Sequence, residues 1–384
     1  MTMLSVDIRA ALGDSVRAAC ARLAQEERIR AVAYDRTGAD RGFDRELWLA
    51  LCEQIGVAAV AVPEDLGGAG FGPAAQAVIA HELGRVLGPV PFLSSAVLAT
   101  GLLVRTGAPE GLLAGLLDGR RTAALLVDSG MSHGDCLATG IVAEPSGRGW
   151  TLHGSVRHVL HGASADHLVV VADVDAQQAV FIADRAQSGV AATEESVLDG
   201  TRPMATVTLR GAHADRLAPE QPVRELLTAA LRHTAAVLTA EQVGAAERAL
   251  EMATEYARTR RQFDRAIGSF QAVKHRCADM LVDLEMARSA SLAAVQAVND
   301  EEPDADWRVN MAAAVCSEAL RAIAHGNLQV HGGIGFTWEH AAGLYVRRAR
   351  TDEVLFGSPG RHWDDLAAGA DIFGDRRADG GTAR

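Results

Sequence analysis

Arg258, Arg260, Arg261, Gln262 and Phe263 fall together in the segment YARTRRQFD. Guanidinium groups beside a carboxamide and an aromatic ring can grip a pyrophosphate and an attached base. The same residues also suit a solvated helix end, with arginines near the negative pole of the helix dipole. A second candidate is HGGIGF at 331–336. There Gly332 and Gly333 let backbone amides approach a ligand, or cap a helix and turn the chain. Other sets are weaker. Gly68, Gly70 and Gly72 lack the GxGxxG spacing and a good preceding strand, so they read as turn glycines. His153, His158 and His161 look like a metal set, but strand alternation places His158 opposite the other two. No carboxylate or cysteine joins them at ligand spacing, so they read as surface or half-buried histidines. His133 and Cys136 have no matching second pair and read as loop. The cysteines Cys20, Cys52, Cys136, Cys277 and Cys316 are scattered and odd in number, as in reduced thiols that mostly fill core.

The elements that must position these residues change character along the chain. Residues 1–120 read as a helical domain, with helices near 14–30, 45–54, 73–85 and 94–106. From 121 to 222 the apolar period falls to two, in TAALLVD, GIVAEP, WTLHGSVRHVL, DHLVVVADV, AVFIADR and ATVTLRGA. That pattern predicts an antiparallel β domain. Residues 223–384 return to helical spacing, with long helices near 226–260, 269–298, 305–331 and 339–355 and a loose tail in DRRADGGTAR. The first of these four carries apolar residues for about 30 positions without Pro, which suits a bundle core.

Composition sets outer limits. The chain has 384 residues, 48% apolar and 22% charged, enough to bury a large core. A net charge of -12 argues against nucleic acid as a general partner. No apolar run reaches membrane-spanning length and no signal peptide is evident, so the cytoplasm is the expected location.

The order of parts and the motifs VPEDLGGAG, HELGR, WTLHGSVRHVLHGASADHLVVVA, YARTRRQF, FQAVKHRCADM and QVHGGIGFTWEHAAGLYVRRAR resemble the acyl-CoA dehydrogenase family across nearly the whole chain. The resemblance implies an N-terminal α-helical domain, a middle antiparallel β-barrel domain and a C-terminal four-helix bundle. It implies FAD as cofactor, an acyl-CoA substrate desaturated between its alpha and beta carbons, an electron-transfer acceptor and a tetrameric assembly. The wording LDGTRPMATVTL and GFTWEHAAGLY is closest to actinobacterial members, which often act on CoA thioesters of steroid side chains. Carried over by position, the family's FAD contacts fall on Arg260, Gln262, Phe263, Gln271, Gln329, Gly332 and Gly333. In the family, the RxQF arginine and the QxxGG segment reach the FAD of a neighbouring subunit. Asp264 stands where the family usually has Gly, which brings a carboxylate near that phosphate site unless it pairs with Arg261 or Arg265.

The residues for this chain's own chemistry depart from the family. The usual glutamate base maps to Phe356 in LFGS. The alternative base on the first bundle helix maps to Thr234. Neither side chain can serve as a carboxylate base. The flavin-contacting TEPxxGSD segment reads VDSGMSHGD, and the Trp and Thr that flank the flavin ring become His158 and Leu160. The expectation is a subunit with no catalytic residue of its own, paired with a homologous catalytic subunit in a heterotetramer. Two rivals remain: a self-sufficient flavoenzyme whose base has moved to Glu241, Asp352 or Glu353, and a scaffold that binds no FAD.

Overall fold

The computed structural model describes residues 4–34, 42–135, 140–147, 149–175 and 177–369. Cys136 and the tail sequence DRRADGGTAR lie outside the described residues.

The first helices are α1 (Val6–Leu23), α2 (Glu26–Tyr34), α3 (Arg45–Ile55) and α4 (Pro73–Val86). Local chemistry sets several ends. Asp44 caps α3 by accepting the Leu47 N–H, and Gly56 ends that helix in the left-handed region. Pro73 opens α4, where a missing N–H costs nothing. One expected helix at 14–30 is two helices, broken at Ala24. No Gly or Pro marks that break. Tertiary contacts decide it: α2 turns to bury Ile29 and Ala33, while Arg28 pairs with Asp44 and Glu46. A fully buried wide helical turn, Phe92–Ala99, leads into α5 (Thr100–Arg105), and α6 (Glu110–Leu117) follows.

The middle of the chain closes a five-stranded barrel. Its strands are β2 (Ile141–Ser146), β3 (Gly149–Leu160), β4 (His167–Val174), β5 (Gln177–Asp184) and β7 (Met204–Leu217), and β5 pairs back onto β4. Two short strands lie outside the ring: β1 (Ala123–Leu125) on β4 and β6 (Val190–Glu194) on β7. Pairing is antiparallel except where β4 meets β1 and β2. Leu152, Val156, Leu168, Val170, Phe181, Val207 and Leu209 fill the interior.

The histidine alternation needs correction here. Register shifts fall between Leu152 and His153 and between Val156 and Val159, and His158 has a positive φ of 54°. The first shift skips Gly211 on β7 and leaves β3 in phase, whereas the second adds a residue to β3 and resets its two-residue period. His153 is therefore exposed while His161 is buried, with Nδ1 2.9 Å from the Ser94 hydroxyl. Among the described residues, no group of His, Cys, Asp and Glu is arranged to hold a metal ion.

The bundle consists of α7 (Val223–Thr259), α8 (Gln271–Asn299), α9 (Ala305–His331) and α10 (Ala342–Asp352), with α11 (Pro359–Gly369) packed on α9. Sequence periodicity did not reveal α11. Helix α7 is the axis of the molecule, in contact with α4, α8 and α9. Its crossing with α4 depends on two glycines. A Cβ on Gly84 would meet the Glu241 carbonyl oxygen at 2.0 Å, and one on Gly244 would meet that of His81 at 2.0 Å.

Candidate functional site

Helices α7 and α8 are joined by a hairpin, β8 (Arg261–Gln262) and β9 (Arg265–Ala266). Phe263 and Asp264 form its two-residue turn, with φ of 52° and 61°. Positive φ at both central positions is the type I′ geometry, which Asp tolerates well. The Gly-to-Asp departure at 264 therefore fits the turn. Arg261 Nη2 donates to the Asp264 carbonyl at 2.7 Å, and the Arg265 guanidinium lies 4.0 Å from the Phe270 ring centre. Among the described residues, the Asp264 carboxylate has no ion pair, so the expected pairing with Arg261 or Arg265 is not formed.

Helix α9 runs antiparallel to α8 and delivers its C-terminus to the same end of the bundle. The Tyr256 ring stacks on His331 at 4.4 Å and ties α7 to α9 there. Arg260, Gln262, Phe263, Gln271, Gln329, Gly332 and Gly333 thus share one end. All are exposed except Gly332, which is half-buried. Among the described residues, the side chains of Arg260, Gln271 and Gln329 have no polar partner. A Cβ added to Gly332 or Gly333 would meet nothing within 4 Å, so the backbone there is open to approach. Lys274 and Arg276, in the first turns of α8, add positive charge to this end. They lie within the FQAVKHRCADM motif, to whose Lys274 and Arg276 the resemblance assigns no cofactor contact.

Phe356 and Thr234 sit in a different environment. Both are buried. The Thr234 hydroxyl donates to the Ala230 carbonyl at 2.7 Å, within its own helix. Phe356 packs among Ser94, Leu98, Leu125, Val127, Ser129 and Leu160, leaving no room for a water molecule. The Phe356 N–H donates to the Ser129 carbonyl at 2.7 Å, and the Ser129 N–H donates to the His158 carbonyl at 3.3 Å. His158 Nδ1 lies 3.0 Å from Asp128. The segments VDSGMSHGD, RHVL and LFGS therefore bond to one another. Phe356 holds a φ of 57°, a left-handed conformation that costs a bulky residue about 1–2 kcal/mol. Surrounding contacts offset that strain.

Glu241, Asp352 and Glu353 are also placed. Glu353 is partly exposed and pairs with Arg350 at 2.9 Å. Glu241 and Asp352 belong to a buried charge network that sequence reasoning missed. Arg348 Nε donates to Asp199 at 2.6 Å, and its other nitrogens reach Glu241 and Thr201. Arg202 bonds Glu241 and lies 3.0 Å from Asp352. The adjoining space, lined by His161, Thr201, Arg202, Glu241 and Arg348, is about 10 Å³, room for one water at most. A substrate cannot enter it in this conformation.

Two guanidinium groups face three carboxyls, so full ionisation would leave one negative charge in excess. Burial pushes the Asp352 carboxyl up to about 7, against the pull of Arg202 and Arg348. Its folded pKa lies above its unfolded value. The stability it contributes is therefore complete below pH about 4 and is lost as pH rises through about 7. Urea midpoints should show this. Wild type should lose on the order of a few kcal/mol relative to Asp352→Asn between pH 4 and 8. Parallel pH profiles for the two proteins would show that Asp352 does not titrate in the fold.

A helical domain, a five-stranded barrel and a helical bundle in this order make up the acyl-CoA dehydrogenase fold. The chain belongs to the acyl-CoA dehydrogenase family: residues 13–111 match the family's N-terminal domain and residues 224–370 its C-terminal domain. Members are FAD-dependent flavoproteins that oxidise CH–CH bonds. The chain is 35% identical to the acyl-CoA dehydrogenase IpdE2 of Mycobacterium tuberculosis, over 91% of this chain and 93% of that protein. It is 36% identical to the acyl-CoA dehydrogenase FadE27 of the same organism, over 83% and 86% of the two chains. Among solved structures it resembles the ChsE4-ChsE5 complex from Mycobacterium tuberculosis (32% identity, TM-score 0.84, 97% of this chain and 99% of that one). It also resembles a variant of the Tcur3481-Tcur3483 steroid acyl-CoA dehydrogenase (28%, TM-score 0.82, 95% and 99%). Among the described residues, no helix is long and apolar enough to cross a membrane.

Proposed function

We propose that this chain is the non-catalytic subunit of a heteromeric acyl-CoA dehydrogenase and donates FAD-binding groups to a homologous catalytic partner. One observation carries the reading. The three segments that depart from the family pattern, VDSGMSHGD, RHVL and LFGS, bond to one another around a buried Phe356 with no room for a water beside it. On this reading Phe356 and its neighbours leave this chain without a flavin site of its own. The opposite holds at the hairpin end. Exposed guanidinium and carboxamide donors, and two glycines open to backbone approach, suit a pyrophosphate and an attached base. Arg260, Gln262, Phe263, Gln271, Gln329, Gly332 and Gly333 would hold the partner's cofactor. When bound, FAD supplies the hydride acceptor for alpha,beta-desaturation of the thioester. In this reading the chain divides at about residues 120 and 222, and the complex works in the cytoplasm with a separate electron-transfer acceptor.

Similarity to a steroid acyl-CoA dehydrogenase and to a two-component complex supports a steroid side-chain CoA thioester as the substrate class and an unlike pair as the assembly. Flavin per chain, read from the visible spectrum, tests the proposal. The chain alone should carry little flavin, and the complex with its homologous partner one flavin per unlike pair. One flavin per chain in isolation would support the self-sufficient rival. None in either preparation would support the scaffold.

A further inference from the structure

Helices α1, α4, α7 and α8 enclose a slot of about 440 Å³. That volume falls within the range of small-molecule sites, about 300–1,000 Å³. None of its lining residues belongs to the hairpin end or to the packing around Phe356. Its floor is apolar. Ala240 and Val243 of α7 and Val295 of α8 are buried there, and Ala74 and Ala77 of α4 present only methyl groups. Alanines on facing helices leave space that larger side chains would close.

Charged groups line the rest of the slot, and at one end they are paired with one another. Arg17 donates to both oxygens of the buried Glu82, at 2.7 and 3.0 Å, and to Asp14 at 2.9 Å. His81 and Arg288 both meet Glu247, at 3.1 and 3.0 Å. Arg9 differs. It lines the slot about 12 Å from Arg17 along α1. Its side chain is exposed and, among the described residues, has no polar partner. The slot thus has an apolar body, a charge-paired wall at one end and an unpaired guanidinium at the other.

We infer that this slot is a binding site for a small apolar monocarboxylate, with the hydrocarbon body between α4 and α8 and the carboxylate on Arg9. Charge complementarity selects that occupant. A guanidinium holds a carboxylate through two parallel N–H donors, and Arg9 has both to give. A cationic ligand would find no free carboxylate, because Arg17 already engages Asp14 and Glu82. The hydrocarbon would gain from leaving water for the alanine and valine floor. The inference stands independently of the heteromeric reading, since it uses neither the hairpin end nor a partner chain.

Calorimetric titration of the full chain with decanoate, below its micellar range, tests this, with decylammonium as the comparison. Wild type should bind one decanoate per chain and should bind decylammonium at least about tenfold more weakly. Arg9→Glu should weaken decanoate by at least about tenfold and leave the urea midpoint unchanged, because the side chain is exposed. Ala77→Phe should fill the slot and abolish binding. Ala77 is half-buried, so its urea midpoint is measured as well, and Arg9→Glu decides the matter if that variant fails to fold. No binding to wild type, equal binding of the two amphiphiles, or unchanged decanoate affinity in Arg9→Glu or in a folded Ala77→Phe would overturn the inference. So would loss of the site in the co-purified complex, which would assign the slot to a contact between subunits.

Discussion

Arg260→Ala is expected to strip flavin from the heteromeric complex while leaving this subunit folded. Arg260 ends α7 in extended backbone, and its N–H still caps the helix by donating to Tyr256 at 2.8 Å. That backbone bond survives the substitution. The side chain is exposed, and among the described residues it holds no polar partner, so its loss should barely change the urea midpoint. Its proposed partner is a phosphate of the neighbouring subunit's FAD. A charge-assisted hydrogen bond to such a group contributes about 1.5–3 kcal/mol. FAD retention in the complex should fall by about 10- to 100-fold. Dialysis of the co-purified complex, followed by the absorbance ratio of flavin to protein, gives the number. An unaltered ratio would remove Arg260 from the cofactor site. A fall accompanied by unfolding of this subunit would assign it a structural role instead.

Arg348→Met is expected to destabilise the subunit severely. Arg348 is buried and touches Asp199, Thr201 and Glu241, linking the segment before β7 to α7 and α10. Methionine preserves much of the side-chain bulk but removes the cation. Asp199 and Glu241 then keep their charges with only Arg202 nearby. Breaking a buried pair in this way costs about 3–5 kcal/mol. Burial pushes the Asp199 carboxyl up, but Arg348 and Thr201 hold it below the usual carboxylate range. Without Arg348 its pKa should rise, so the loss should be largest near pH 8 and shrink as acid neutralises the carboxylates. Urea denaturation at pH 5 and pH 8 measures both effects. A midpoint within experimental error of wild type at both values would show that the network is not a structural joint.

Much of this protein is legible along the chain. The switch from helical to two-residue periodicity and back marks where helices give way to strands, and α9 begins and ends where its spacing predicts. The cationic segment and the paired glycines are visible as residue types at fixed spacing. Local physics suffices for these, because apolar period, turn residues and caps act over a few positions.

The remainder depends on distant contacts. Nothing local divides 14–30 into two helices, and nothing in WTLHGSVRHVL announces the extra residue between Val156 and Val159 that leaves His153 outside while His161 points in. Arg202 and Arg348 look like surface charges in sequence. Only the fold buries them opposite Asp199, Glu241 and Asp352. The sequence by itself determined the family, the order of the parts and the residue types at the hairpin end. Tertiary structure alone decided that Ser129, His158 and Phe356 meet, because they are brought together by the approach of the barrel to the bundle. At Phe356 the resemblance to the family led to an expected glutamate. Whether the side chain there meets a cavity or a packed core depends on side chains far away in the chain, and here Leu98, Leu125 and Leu160 enclose it.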